Sequence, residues 1–263
     1  MPHVAFVTLS GFRVREQQLL ELGMQLPGLQ QRAAAIGALP ALGPLTLAGL
    51  TPEHWTCSYH AVPRCDDALV ETLVGQRPTL VAVSALTASI EEAYELCTRL
   101  RAENIRAAIG GLHASVHPSE AGAHADAVVV GEGELVWRRL LANAEADALE
   151  PEYRPQSDAT FESWPLPRFE LLGPDRPARV TLQTQRGCPL GCEFCGASRL
   201  LGPFREKPRR DGLCRDRPRE SLGGMTLDWF AALGENWDFG EFWRDSVLAS
   251  LTWRSLGARF PRL

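Results

Sequence analysis

Lysine is almost missing from this chain. Lys207 is the single example in 263 residues, and arginine supplies the other basic side chains. Abundant Ala and Arg with almost no Lys reflects GC-rich bacterial coding rather than any demand of folding. No apolar run approaches the ~20 residues that a membrane-spanning helix needs, so no membrane partner is expected. Met1-Pro-His-Val4 leads straight into an apolar strand, so no targeting segment is expected. Seven cysteines without such a segment point to a reducing cytoplasm and argue against a disulfide framework. A net charge of −5 gives no general attraction for nucleic acid. No second C-x2-C or H-x3-H pair stands near the cysteines, as a tetrahedral zinc site would normally require. The 45% hydrophobic content is ordinary for a globular chain, and the length suits one large or two ordinary domains.

The first half alternates two periods. Apolar strand-like runs occupy 4–7, 55–62, 80–84, 105–109 and 127–130. Helical patterns fall at 15–23, from near Pro44 to Leu50, at 90–102 and at 137–144. Strands alternating with helices predict right-handed βαβ units and a doubly wound parallel sheet, an α/β fold of Rossmann type. Ligands of such sheets bind beyond the carboxyl ends of the strands. Ser84 and Thr87, then Gly110, Gly111 and His113, then Gly131, Glu132, Gly133 and Glu134 all fall at those ends. Glycine there lets backbone approach a ligand, or it merely makes a turn. Glu132 and Glu134 precede a helix, whose dipole favours acidic side chains whether or not a ligand is near.

The second concentration of signal is R-G-C-P-L-G-C-E-F-C-G, which carries Cys188, Cys192 and Cys195 at C-x3-C-x2-C spacing. Three thiolates on one short loop can hold three irons of a cubic iron–sulfur cluster and leave the fourth iron open. An electron carrier of ferredoxin type closes its cluster with a fourth cysteine. The only later cysteine, Cys214, lies in an Arg/Pro-rich stretch without companion spacing. Gly187, Pro189, Gly191 and Gly196 allow the tight backbone that wraps a cluster. Zinc remains the alternative occupant.

The C-x3-C-x-aromatic-C pattern, with Phe194 in the aromatic place and Val180, Leu182 and Gln183 as the strand before it, resembles the radical S-adenosylmethionine enzymes. That resemblance implies a 4Fe-4S cluster held by Cys188, Cys192 and Cys195. It also implies S-adenosylmethionine on the open iron, Phe194 near its adenine, and a reductant such as flavodoxin or ferredoxin. Reductive cleavage would release a 5′-deoxyadenosyl radical. The order S-x-x-T from Ser84, G-G-x-H-x-x-x-x-P from Gly110 and D-x-V-V-x-G-E-G-E from Asp126 resembles the cobalamin-binding domain that precedes many radical S-adenosylmethionine domains. It implies cobalamin across the sheet edge, its tail contacting Ser84, Thr87, Gly110, Gly111, His113 and Gly131 to Glu134, and methyl transfer or another radical rearrangement. The D-x-H-x-x-G motif that brings a histidine to cobalt is absent. Thr8-Leu-Ser-Gly-Phe-Arg13 follows the first strand instead.

The expected organisation is a cobalamin-binding-like domain at 1–147, a Pro-rich connector at 148–178 and the opening of a (β/α) barrel at 179–263. Trp164, Leu166 and Phe169 are the expected anchors of the connector. A closed barrel takes roughly 200 residues or more, so truncation or divergence after Lys207 is expected. Two readings of function follow. One is a radical S-adenosylmethionine enzyme acting on a small molecule that the sequence does not identify. The other is a non-catalytic cofactor-binding module.

Overall fold

A computed structural model describes residues 1–9, 39–156, 165–173, 183, 185–187 and 204–206. All of them belong to one compact unit, Met1–Leu222; a second unit, Gly223–Leu263, lies outside the described residues.

The sheet has six parallel strands in the order β2-β1-β3-β4-β5-β6. They are β1 (His3–Leu9), β2 (Thr56–Val62), β3 (Leu80–Ser84), β4 (Ala107–Gly110), β5 (Ala127–Val129) and β6 (Glu152–Tyr153). Along β1, Ala5, Val7 and Leu9 enter one apolar layer while Val4 and Phe6 enter the other. Both faces are covered, so β1 and β3 read as continuous apolar runs rather than alternating ones. Helices α2 (Asp67–Gln76), α3 (Ile90–Ala102), α4 (Leu112–Val116) and α5 (Pro118–His124) supply buried residues to the first layer. The second layer receives α1 (Leu42–Leu50) and α6 (Trp137–Glu145), and Trp137 packs on Phe6 with ring centroids 5.5 Å apart. This is the Rossmann-like doubly wound arrangement that the alternation predicts.

The predicted helix at 90–102 coincides with α3, and those beginning near Pro44 and at 137 become α1 and α6. The predicted helix at 15–23 lies outside the described residues. Helix α2 was not predicted, although Asp66 caps it by accepting a hydrogen bond from the Leu69 N–H at 2.9 Å. The strand predicted at 105–109 begins two residues late. Asn104 takes a left-handed turn (φ +58°), and the Ile105 N–H closes the end of α3 on Leu100 O at 2.9 Å. Register pairing with β3 therefore starts at Val81↔Ala107.

The segment expected to be a connector begins inside the sheet. Its β6 pairs with β5 at Val128↔Glu152 and Val129↔Tyr153. Tyr153 is fully buried, and its hydroxyl accepts from Glu150 N and Asn143 Nδ2, both at 3.0 Å. Further on, Phe169 is buried and Arg168 N donates to Leu45 O at 2.9 Å, which docks the chain on α1. Leu166 remains 37% exposed, but its backbone crosses Gly49 so closely that a Cβ there would stand 1.9 Å from Leu166 O. Trp164 lies outside the described residues. Beyond the connector the described residues form only an antiparallel pair, β7 (Gln185–Arg186) and β8 (Arg205–Glu206). The three-cysteine loop, Phe194 and the expected barrel strands lie outside the described residues. No described helix is long and apolar enough to cross a membrane.

A crevice at the carboxyl edge of the sheet

After β1 the chain turns to β2 on one side; after β2 it crosses back to β3 on the other. That reversal is where doubly wound sheets open a crevice beyond their strand ends. Here the crevice has a volume of about 260 Å³. Its lining includes Phe6, Ala82, Ala108, Leu47, Val129 and Trp137 from the sheet and from α1 and α6. Ser84, Gly110, Gly111, Leu112, Ser115 and the loop Gly131, Glu132, Gly133, Glu134 also line it, joined by Gln183 and Arg186 from beyond the connector.

The space exists because these positions are small. A Cβ on Gly110 would lie 3.4 Å from Val129 Cβ, and one on Gly133 would lie 3.4 Å from Val129 Cγ1 and 3.6 Å from Leu47 Cδ2. Gly111 takes φ +112°, a backbone that L side chains rarely adopt. Ser115 joins the loops after β4 and β5. Its hydroxyl donates to Gly111 O at 2.8 Å and accepts from the Gly131 N–H at 2.9 Å. Ser115 was not predicted. Its sequence signal is its place one helical turn after Gly111, where a hydroxyl can bond back to the i−4 carbonyl.

Of the predicted crevice residues, Ser84, Gly110, Gly111, Gly131, Glu132, Gly133 and Glu134 do line it. Thr87 and His113 do not. They meet each other beside it, His113 Nδ1 lying 3.2 Å from Thr87 Oγ1. His113 Nε2 is 3.6 Å from Glu120 Oε1, and its ring packs near Tyr94 and His117 with centroids at 6.3 and 5.0 Å. Tyr94 also stacks on His124 at 4.4 Å. Burial, reinforced by the Glu120 charge, pushes the Tyr94 hydroxyl up to about 12. These side chains pack α3 against α4 and α5.

Glu132 and Glu134 act neither as helix caps nor as free acids. Arg186 pairs with both, through Glu134 and at 3.4 Å from Glu132 Oε1. Arg205 grips Glu132 with two nitrogens, one of them 3.1 Å from Oε2. Burial alone would raise the Glu132 carboxyl, but the Arg205 hydrogen bond and both arginine charges outweigh it and hold it below its ordinary value. Burial likewise disfavours charged Arg186, and the bond and charge of Glu134 outweigh that too, which raises its pKa.

No group of three or more His, Cys, Asp or Glu among the described residues could hold a metal ion. Cys188, Cys192 and Cys195, the expected iron ligands, lie outside the described residues.

Residues 32–141 match the B12 binding domain family. The chain is 30% identical over 210 residues to an uncharacterized methyltransferase of Synechocystis sp., covering 80% of this chain and 35% of that protein. It is 29% identical over 130 residues to the bacteriochlorophyllide d C-8(2)-methyltransferase of Chlorobaculum tepidum, covering 47% of this chain and 29% of that one. The chain thus spans about a third of the length of these relatives. In fold it is similar to the cobalamin-dependent S-adenosylmethionine radical enzyme OxsB with aqua-cobalamin and S-adenosylmethionine bound. The TM-score is 0.56 at 17% identity, covering 80% of this chain and 30% of OxsB.

Proposed function

We propose that the crevice takes the slender nucleotide tail of cobalamin, and that the chain forms the cobalamin-binding part of a radical S-adenosylmethionine methyltransferase. The carrying observation is the cradle of Ala82, Ala108, Gly110 and Gly133 at the strand ends. At about 260 Å³ it falls short of the roughly 300–1,000 Å³ of sites that enclose a whole drug-sized ligand. It suits one flat end of a large cofactor. The macrocycle would stay outside, where Leu86 and Val116 stand 61% and 47% exposed at the same edge of the sheet. Ser84 would offer its hydroxyl to the polar part of the tail, while Ser115, whose proton goes to Gly111 O, would keep its crevice loop in place.

Cys188, Cys192 and Cys195 would hold the 4Fe-4S cluster, with Phe194 against the adenine of S-adenosylmethionine. When bound, the cluster supplies the electron that cleaves S-adenosylmethionine and the cobalamin supplies a methyl carrier; the protein positions them and excludes water. An electron carrier such as flavodoxin or ferredoxin would serve as reductant in the cytoplasm. The barrel opening at 179–263 and the small-molecule substrate belong to the same proposal.

Titration of the full chain with hydroxocobalamin tests the crevice. The visible spectrum should shift on binding, and Gly133→Val should abolish the shift while far-UV circular dichroism stays unchanged. A wild-type chain that leaves the spectrum unaltered removes the cobalamin reading. Anaerobic reconstitution with iron and sulfide tests the loop. Cys192→Ala should lose the iron that Cys57→Ala retains, and a colourless wild-type chain would leave a cofactor-binding module without the cluster.

A further inference from the structure

We propose that Glu132, Glu134, Arg186 and Arg205 form a latch that fixes the strand leading into the three-cysteine loop against the rim of the crevice, with Arg186 as its positioning residue. The inference rests on the cobalamin reading only for what the crevice holds; the latch itself is a matter of protein geometry.

Three observations carry it. First, all four side chains are enclosed: Glu134 is 8% exposed, Arg186 11%, Glu132 20% and Arg205 29%, whereas Arg101–Asp126, Arg168–Glu170 and His113–Glu120 each have one member 43%, 47% and 53% exposed. Exposed pairs contribute almost nothing. A buried network of two arginines and two acids loses about as much solvation as it gains in attraction, so stability alone does not account for it. What planar arginine forks specify is geometry, because two parallel hydrogen bonds fix both distance and orientation.

Second, the two sides of the network are far apart in sequence and belong to different tasks. Glu132 and Glu134 sit on the crevice loop; Arg186 and Arg205 sit opposite each other in the β7–β8 pair. Arg186 is two residues before Cys188, separated only by Gly187 at φ +82°, and it also donates to Gln183 Oε1 at 3.1 Å. Third, the crevice loop is tied in turn through Ser115 to Gly111. Hydrogen bonds therefore tie Gly111 through Ser115 to Gly131, and the Glu132 and Glu134 carboxylates of the same loop hold Arg186, two residues before Cys188. This arrangement sets how far whatever the crevice binds stands from whatever the loop binds.

The near-absence of lysine makes trypsin a clean probe, because it cuts here almost only after arginine. In the full chain Arg186 should resist cleavage while the exposed loop residue Arg64 is cut. Glu134→Gln should speed the Arg186 cut at least about tenfold, with the Arg64 cut unchanged. Glu134→Asp, which keeps the charge, should restore most of the protection. Should Glu134→Gln fail to fold, Arg205→Gln removes only the outer partner and should likewise expose Arg186. Arg186 cut as fast as Arg64 in the native chain overturns the latch. So does an Arg186 rate unmoved by both substitutions, or a Glu134→Gln chain in which both sites open alike, since that is general loosening. Protection released as expected in a chain that leaves the hydroxocobalamin spectrum unchanged upholds the latch and removes the cobalamin reading alone.

Discussion

Cys97 has no exposed surface, and burial pushes its thiol up to about 12 from an ordinary 9.0. Below pH 9 folded and unfolded chains both carry the proton, so the thiol's contribution is fully present. As pH rises from 9 toward 12 the unfolded chain releases it first, and stability falls by up to about 1.4 kcal/mol per pH unit from this group. Urea melts at pH 8.0 and 10.5 should show that loss, and Cys97→Ala should reduce it, leaving the part that Tyr94 contributes above pH 10. Gly49 marks a different kind of necessity. The Leu166 carbonyl occupies the place of its Cβ, so Gly49→Ala must move either α1 or the connector. The expected cost is about 1–3 kcal/mol, which a thermal melt reads as a midpoint lower by several degrees. Cys97 falls on the apolar face of the helical pattern at 90–102, beside Ala93, Leu96 and Leu100, so its burial is legible in the sequence. No such pattern marks Gly49, because the partner is a backbone atom more than a hundred residues away.

At the scale of elements, the strands and the long helices were legible because their period is local. Two-sided burial writes continuous apolar runs at 4–7 and 80–84, and α3 repeats apolar residues at helical spacing. Helix α2 escaped although its capping aspartate stood in plain view, since Leu69, Val70 and Leu73 are too few to establish a period. Strand β6 escaped for another reason. Two residues make no pattern, and what holds Tyr153 is its burial, the two hydrogen bonds to its hydroxyl and Arg139 lying 5.2 Å from the ring centre. A fragment ending at residue 147 therefore lacks an edge strand. It should melt about 5–10 °C below one ending at residue 156, from a loss on the order of 3 kcal/mol on removing a buried aromatic. Equal midpoints would mean that β6 adds nothing to the sheet.

For the whole molecule, the hydroxocobalamin titration and the tryptic cut at Arg186 ask separate questions, one about what the crevice holds and one about how the cysteine loop is held. The sequence by itself determined the doubly wound sheet, the strand ends where ligands bind, and the glycines that leave the crevice empty of side chains. Each of these follows from short-range pattern: strand period, helix period, and the backbone freedom of glycine after a strand. Only the tertiary structure decided which polar residues face that space. Thr87 and His113 match the same sequence motifs as Ser84 and Gly111, yet they turn to each other beside the crevice, while Ser115 turns in. Glu132 and Glu134 looked like helix-cap acids and instead meet Arg186 and Arg205, residues 52 to 73 positions away. No local pattern encodes such a meeting, because it depends on where the connector returns over α1 and on which charges must be paired once burial has taken them out of water.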